Sequence, residues 1–274
     1  MNVVIIGCGY VGTAIARYWH QELGFVVTAT TTTPDRVSRL EALGVQVAIV
    51  HGNDLDGLQT LLQDQDTVLL SIGAKSSNLY EETYLQTAQT LVSALQESPS
   101  VRQLIYTGSY SVYGDRDGAW VDETSPLKPT NHNAEILAQT EQVLLSAASD
   151  RLKVSILRLG GIYGPNRELV KIFSRVFGTT RPGRGEDVTN WIHLDDIVAA
   201  IEFVRKERLE GIYNLVDDAH LTSRELLHSL SEKHNSPYVI WDAAHKSVRP
   251  YNARVSNQKI KNAGYQLIHP QMIF

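Results

Sequence analysis

The sequence predicts an open α/β fold, a doubly wound parallel sheet with a smaller C-terminal lobe. Three observations predict it. Apolar runs of strand length alternate with helical patterns through the first half of the chain. The runs are apolar throughout, as strands covered by helices on both faces require. The first run ends in a glycine turn of the form G-x-G-x-x-G that opens directly into a helical pattern, which makes the arrangement Rossmann-like.

Each element follows in order. VVIIG (3–7) is the first strand, and its helix reaches about residue 23. FVVTAT (25–30), a helix after Pro34 and VQVAIV (45–50) come next, then a helix from Asp54 and TVLLSIG (67–73). A long helix to about 97 leads to RQLIYTGS (102–109). NHNAEILAQTE (131–141) sits in a helix predicted over 131–147, with Ala134, Leu137 and Ala138 three and four apart on one face. VSILRLG (154–160) is the strand that follows. Beyond Gly160 the pattern loosens: GPNR (164–167), TTRPGRGED (179–187) and PQMIF (270–274) read as loops, with helices at 195–206 and 222–234. The expected division is 1–160 for the sheet domain, with later segments returning to it, and 161–274 for the lobe.

The 274 residues, 43% hydrophobic and 20% charged, suit a globular protein able to bury a large core. A net charge of −5 gives no global attraction to nucleic acid or anionic membrane. One cysteine, Cys8, excludes an internal disulfide and fits a reducing compartment. No apolar run approaches the ~20 residues that span a bilayer, and MNVVIIGCG enters a strand without a basic leader. A soluble, cytoplasmic protein is expected, without nucleic-acid or membrane partners.

In GCGYVG, Gly7 permits the tight turn, Gly9 lets the backbone approach a pyrophosphate, and Gly12 lets helix and strand pack closely. The helix start offers N–H groups to that anion. Residues 1–160 are therefore expected to bind a dinucleotide, NAD(P). Tyr10 and Val11 of the turn, with Ser71 and Ile72 at the end of the fourth strand, complete the expected lining. The second strand ends in TATTTTPDR, with no acid before Asp35 to take a ribose 2′-hydroxyl. Thr30, Thr31 and Arg36 would serve a 2′-phosphate better, so NADP is favoured over NAD. Asp54, in HGND, is placed to cap the next helix and to reach the adenine; capping alone would explain it.

Five further phrases occur in a fixed order: IYTGSYSVYG (105–114), ILRLGGIYGP (156–165), WIHLDDIVAAI (191–201), GIYNLVDD (211–218) and VSNQKIKNAGY (255–265). With the glycine turn and GND, they resemble the extended short-chain dehydrogenase/reductase family, that of nucleotide-sugar epimerases and dehydratases, over essentially the whole chain. The resemblance implies an NAD(P)-binding domain, a lobe closing over a small-molecule substrate such as a phosphorylated or nucleotide sugar, and often a homodimer. It implies that Ser109, four residues before Tyr113, hydrogen-bonds a substrate hydroxyl or carbonyl, with Tyr113 beside it.

The resemblance fails at its chemical centre. The family's proton donor is the tyrosine of a Tyr-x-x-x-Lys motif on the helix after the V-Y-G phrase. Aligned on Glu141, those places hold Asn133 and Leu137. Between Gly114 and Asp150 there is no tyrosine, and the only lysine is Lys128. The chain resembles an atypical subgroup. His132 and Tyr84 are the residues that could supply a proton instead, against plainer roles as an exposed helix-start residue and a packing residue. Arg167, Arg181 and Arg184 could clamp a substrate phosphate or form a solvated basic loop. His193 is expected at the lobe junction and Asp195 as a helix cap. No metal-ligand spacing of cysteines and histidines is present. Two readings follow: an atypical oxidoreductase or epimerase-like enzyme, or a non-catalytic dinucleotide-sensing or substrate-binding regulator.

Overall fold

A computed structural model of the protein describes residues 1–274. Seven strands form the main sheet: β1 (Asn2–Ile6), β2 (Val26–Thr31), β3 (Gln46–Ile49), β4 (Thr67–Leu70), β5 (Gln103–Ser109), β6 (Lys153–Leu159) and β7 (Gly211–Leu215). They lie parallel, in the order β7-β6-β5-β4-β1-β2-β3. The chain moves outward from β1 to β3, then returns to place β4 on the other side of β1. In such a sheet the ligand crevice lies beyond the carboxyl ends of the strands at this reversal, here β1 and β4. Their register, Ile5 opposite Leu69 and Ile6 opposite Leu70, brings the two ends level.

Helices α1 (Tyr10–Arg17), α2 (Val37–Glu41), α3 (Leu55–Leu62), α4 (Thr87–Gln96), α5 (His132–Leu145) and α6 (Leu194–Lys206) connect or follow the strands. Val4, Ile6, Val68 and Leu70 pack in one cluster with Leu58 and Leu62 of α3, Leu91 and Leu95 of α4 and Leu144 of α5. The alternate residues Val3, Ile5 and Leu69 are also fully buried. Both faces are therefore covered, which is why these strands carry no polar alternation. The indole N–H of Trp19, in the π-helical turn that extends α1, donates to Glu202 of α6 at 2.9 Å.

Contacts divide the chain into two compact units. The first comprises 1–109, 132–158 and 198–213; the second comprises 110–131, 159–197 and 214–274. The second unit has two apolar cores, one around Tyr113, Val216 and Val255, the other around Tyr163, Leu226, Leu230 and Met272. It holds three two-stranded parallel pairs: Gly161–Tyr163 with Trp191–His193, Thr180–Pro182 with Ile240–Asp242, and Asp115–Val121 with Asn252–Val255. Part of the expected loop TTRPGRGED is thus a strand. The start of α6 also differs from expectation. Asp195 lies inside the first turn, and its N–H donates to Nδ1 of His193 at 3.2 Å. Histidine, one residue ahead of the helix, does the capping that Asp195 was expected to do.

Candidate functional site

The glycine turn joins β1 to α1, and its three glycines do different work. Gly7 has a positive φ of 93°, and a Cβ there would lie 2.5 Å from the carbonyl oxygen of Ser71. At Gly12 a Cβ would lie 2.4 Å from the carbonyl of Gly7. At Gly9 it would meet nothing within 4 Å. Gly7 and Gly12 therefore satisfy the fold, while Gly9 faces open space at the start of α1. No acidic side chain lies in the first turn of α1, so the helix dipole there is available to an anion. Val11 is buried and Tyr10 half-buried. Ser71 and Ile72 stand directly against Gly7.

The end of β2 differs from its sequence reading. Thr30 Oγ1 accepts the Gly7 N–H at 3.0 Å, and Thr31 Oγ1 accepts the Thr33 N–H at 3.1 Å. Both threonines are buried: the Thr30 hydroxyl braces the glycine turn, and the Thr31 hydroxyl is taken up by the backbone of Thr33 just past its own strand. The guanidinium of Arg36 is placed by a 2.6 Å bond from Nη2 to the Cys8 carbonyl, which holds a cation beside the glycine turn. Asp54 caps α3 by accepting the Gly57 N–H at 3.0 Å. Cys8 is buried, and burial pushes its thiol up to about 12, which leaves it protonated and unreactive.

Ser109 ends β5, half-buried. On α5, Asn133 is half-buried and Leu137 is buried, so the helix directs an amide and a hydrocarbon from the places where the resemblance expects a phenol and an ammonium. His132 is exposed and pairs with Glu135 at 3.7 Å. Tyr84 packs against the core, its oxygen accepts the Ala74 N–H at 3.4 Å, and burial raises its pKa. In the second unit, Tyr113 is wholly buried and its hydroxyl donates to Asn214 at 2.8 Å. That bond keeps Tyr113 in the core. In the sequence Glu141 marks only the register of the helix. It proves to be one half of a buried ion pair, with Arg158 Nη2 at 2.7 Å and Nε at 3.1 Å from its carboxylate oxygens.

The second unit also contains an open cavity of about 480 Å³. Arg184 lines it, with Lys246, Arg254, Asp117, Glu186 and Asp187 among the other charged groups. Ser247 donates to Asp187 at 2.6 Å, which occupies part of that acid. Of the three arginines expected near substrate, only Arg184 lines this cavity. Arg181 is exposed on Thr180–Pro182, and Arg167 donates to its own turn at the Ile162 carbonyl, 2.9 Å away. Neither Lys246 nor Arg254 is marked in the sequence: Lys246 lies outside every phrase, and Arg254 sits one residue ahead of VSNQKIKNAGY, whose match does not include it.

A sequence model of the NAD dependent epimerase/dehydratase family matches residues 3–215. The chain belongs to that family. Like other members of this epimerase/dehydratase family it is an NAD(P)-binding, epimerase-like protein. Protein YeeZ of Escherichia coli is 34% identical over 226 residues, covering 80% of this chain and 78% of that protein. A dTDP-glucose 4,6-dehydratase of Streptomyces griseus is 28% identical over 166 residues, 57% of this chain and 50% of the dehydratase. Among solved structures, the UDP-glucose 4-epimerase of Thermus thermophilus in complex with NAD superposes with a TM-score of 0.80 at 21% identity, covering 98% and 94% of the two chains. At that identity the likeness shows the fold. No helix is long and apolar enough to cross a membrane.

Proposed function

We propose that this epimerase/dehydratase family member is an atypical oxidoreductase or epimerase-like protein that prefers NADP to NAD and works without the Tyr-x-x-x-Lys pair. The observation that carries the reading is the glycine turn. Gly9 alone of its three glycines faces open space, at a helix start, with the Arg36 guanidinium tied to the neighbouring carbonyl. That is a cradle for a pyrophosphate with a cation near it, and Thr32, exposed just past β2, would add a hydroxyl for a 2′-phosphate. The bound nicotinamide would supply or accept a hydride. Ser109 would orient the reacting carbonyl or hydroxyl. Arg184, with Lys246 and Arg254, would meet an anionic substrate group, as in a phosphorylated or nucleotide sugar. Without the tyrosine of that pair on α5, the rate falls by about 10²–10⁴ unless another group, Tyr84 or His132, takes the role. Pairing of two copies through helices belongs to the same proposal, and light scattering tests it.

Fluorescence titration with NADPH and NADH tests the cofactor. NADPH should bind more tightly, and Arg36→Ala should weaken NADPH by about ten- to hundredfold while leaving NADH nearly unchanged. Failure of both nucleotides to bind would sink the reading. A second reading, a dinucleotide-sensing regulator, is favoured by the buried Leu137 where a lysine would stand. Tight NADPH binding with no turnover across nucleotide sugars and small carbonyl compounds would select it.

A further inference from the structure

Three potential metal ligands meet in the second unit, none of them lining the 480 Å³ cavity. His193 ends the strand Trp191–His193, Asp195 lies in the first turn of α6, and His269 belongs to the C-terminal segment. Nδ1 of His193 lies 3.3 Å from Oδ2 of Asp195, and Nε2 of His269 lies 3.1 Å from the same oxygen. One donor atom from each residue falls within 4.8 Å of the other two. Two imidazoles and a carboxylate are a donor set that transition metals take up. A tetrahedral ion with bonds of ~2.0–2.1 Å holds its ligands about 3.3–3.4 Å apart. Two edges of the triangle already have nearly that length.

The ligands are also held in place. Asp196, wholly buried, accepts the N–H of Ile268 at 2.7 Å, the N–H of His269 at 3.0 Å and the hydroxyl of Tyr265 at 3.0 Å. The backbone carrying His269 is thereby bound to the first turn of α6. His193 is buried, with the Tyr163 ring edge-on at 5.1 Å. The Asp195 side chain is 54% exposed, which leaves further coordination positions to water.

We propose that His193, Asp195 and His269 bind one divalent transition-metal ion of the zinc class, which staples the C-terminal segment to the start of α6. The ion replaces the bond between the Asp195 N–H and Nδ1 of His193. That amide is at a helix start, where no intrahelical partner is required. The proposal is independent of dinucleotide binding.

The test is titration of the full-length, metal-stripped protein with Zn²⁺ by calorimetry and with Co²⁺ by visible absorption. One ion per chain, tetrahedral Co²⁺ bands and a Zn²⁺-dependent rise in melting temperature are expected. His269→Ala and Asp195→Asn should each weaken binding by at least about a hundredfold, with melting temperatures in chelator close to the parent's. His228→Ala and His245→Ala, which break exposed pairs with Glu232 and Asp242, should leave it unchanged. Absence of stoichiometric binding, binding that survives His269→Ala, or loss only in the His228 and His245 variants would each overturn the site. NADPH titration of the stripped protein reads the cofactor separately, so failure of either idea is visible alone.

Discussion

At the residue scale, the glycine turn separates packing from binding. A methyl at Gly12 would press on the Gly7 carbonyl at 2.4 Å, whereas at Gly9 it would enter open space. Gly12→Ala should lower stability by about 1–3 kcal/mol through overpacking. Gly9→Ala should keep the parent's melting curve and lose NADPH affinity, because only the ligand would feel the methyl. Equal NADPH affinity in Gly9→Ala and the parent would show that no phosphate approaches Gly9. The spacing of these glycines was legible in the sequence because a β–turn–α unit is local. The threonines were read less well. That a strand end carries hydroxyls is visible in TATTTT, but whether they point outward or into the turn depends on Gly7 and Thr33 as partners. Arg36 was legible as a nearby cation, and its tether to Cys8 was not.

At the scale of elements, α5 was anticipated over 131–147 and forms over His132–Leu145, since its apolar spacing is a local signal. Besides its buried apolar face, Glu141 paired with Arg158 of β6 ties it to the sheet, both side chains 3% exposed. Burial raises the Glu141 pKa, and the Arg158 guanidinium opposes that shift. Removing one partner strands the other charge in a low-dielectric interior. Arg158→Ala or Glu141→Ala should therefore cost roughly 3–5 kcal/mol by chemical denaturation, and an apolar pair, Glu141→Leu with Arg158→Met, should recover most of it. If the single variants lost less than the pair of replacements together, the ion pair would not be what secures the helix. The partner strand was readable and the pairing was not, because 17 residues separate the two in sequence.

At the scale of the molecule, the second unit carries a charge burden that its cores do not relieve. Asp217 is 1% exposed, and burial, with Asp218 and Asp196 nearby, pushes its carboxyl up to about 7. One oxygen accepts the Ala219 N–H at 3.1 Å; the other has no protein partner. An unfolded aspartate ionises near 3.8, so the folded state holds its proton over a wider range. This group therefore favours the fold fully below about pH 4, and its contribution declines as pH rises towards 7, by up to about 4 kcal/mol. Asp217→Asn should gain on the parent progressively between pH 4 and 8 in melting temperature. A constant difference across that range would show that Asp217 is ionised in the fold.

The sequence by itself determined the alternation of strands and helices, the glycine turn, the family resemblance, and the absence of tyrosine and of any lysine but Lys128 between Gly114 and Asp150. These are properties of short windows, where hydrophobic period and residue spacing act through neighbours along the chain. Only the tertiary structure decided that Asp115–Val121 pairs with Asn252–Val255, that Arg184 shares a cavity with Lys246 and Arg254, and that His269 reaches Asp195 across 74 positions. Such meetings are set by how buried elements stack and which polar groups must find partners there. No local pattern carries that information.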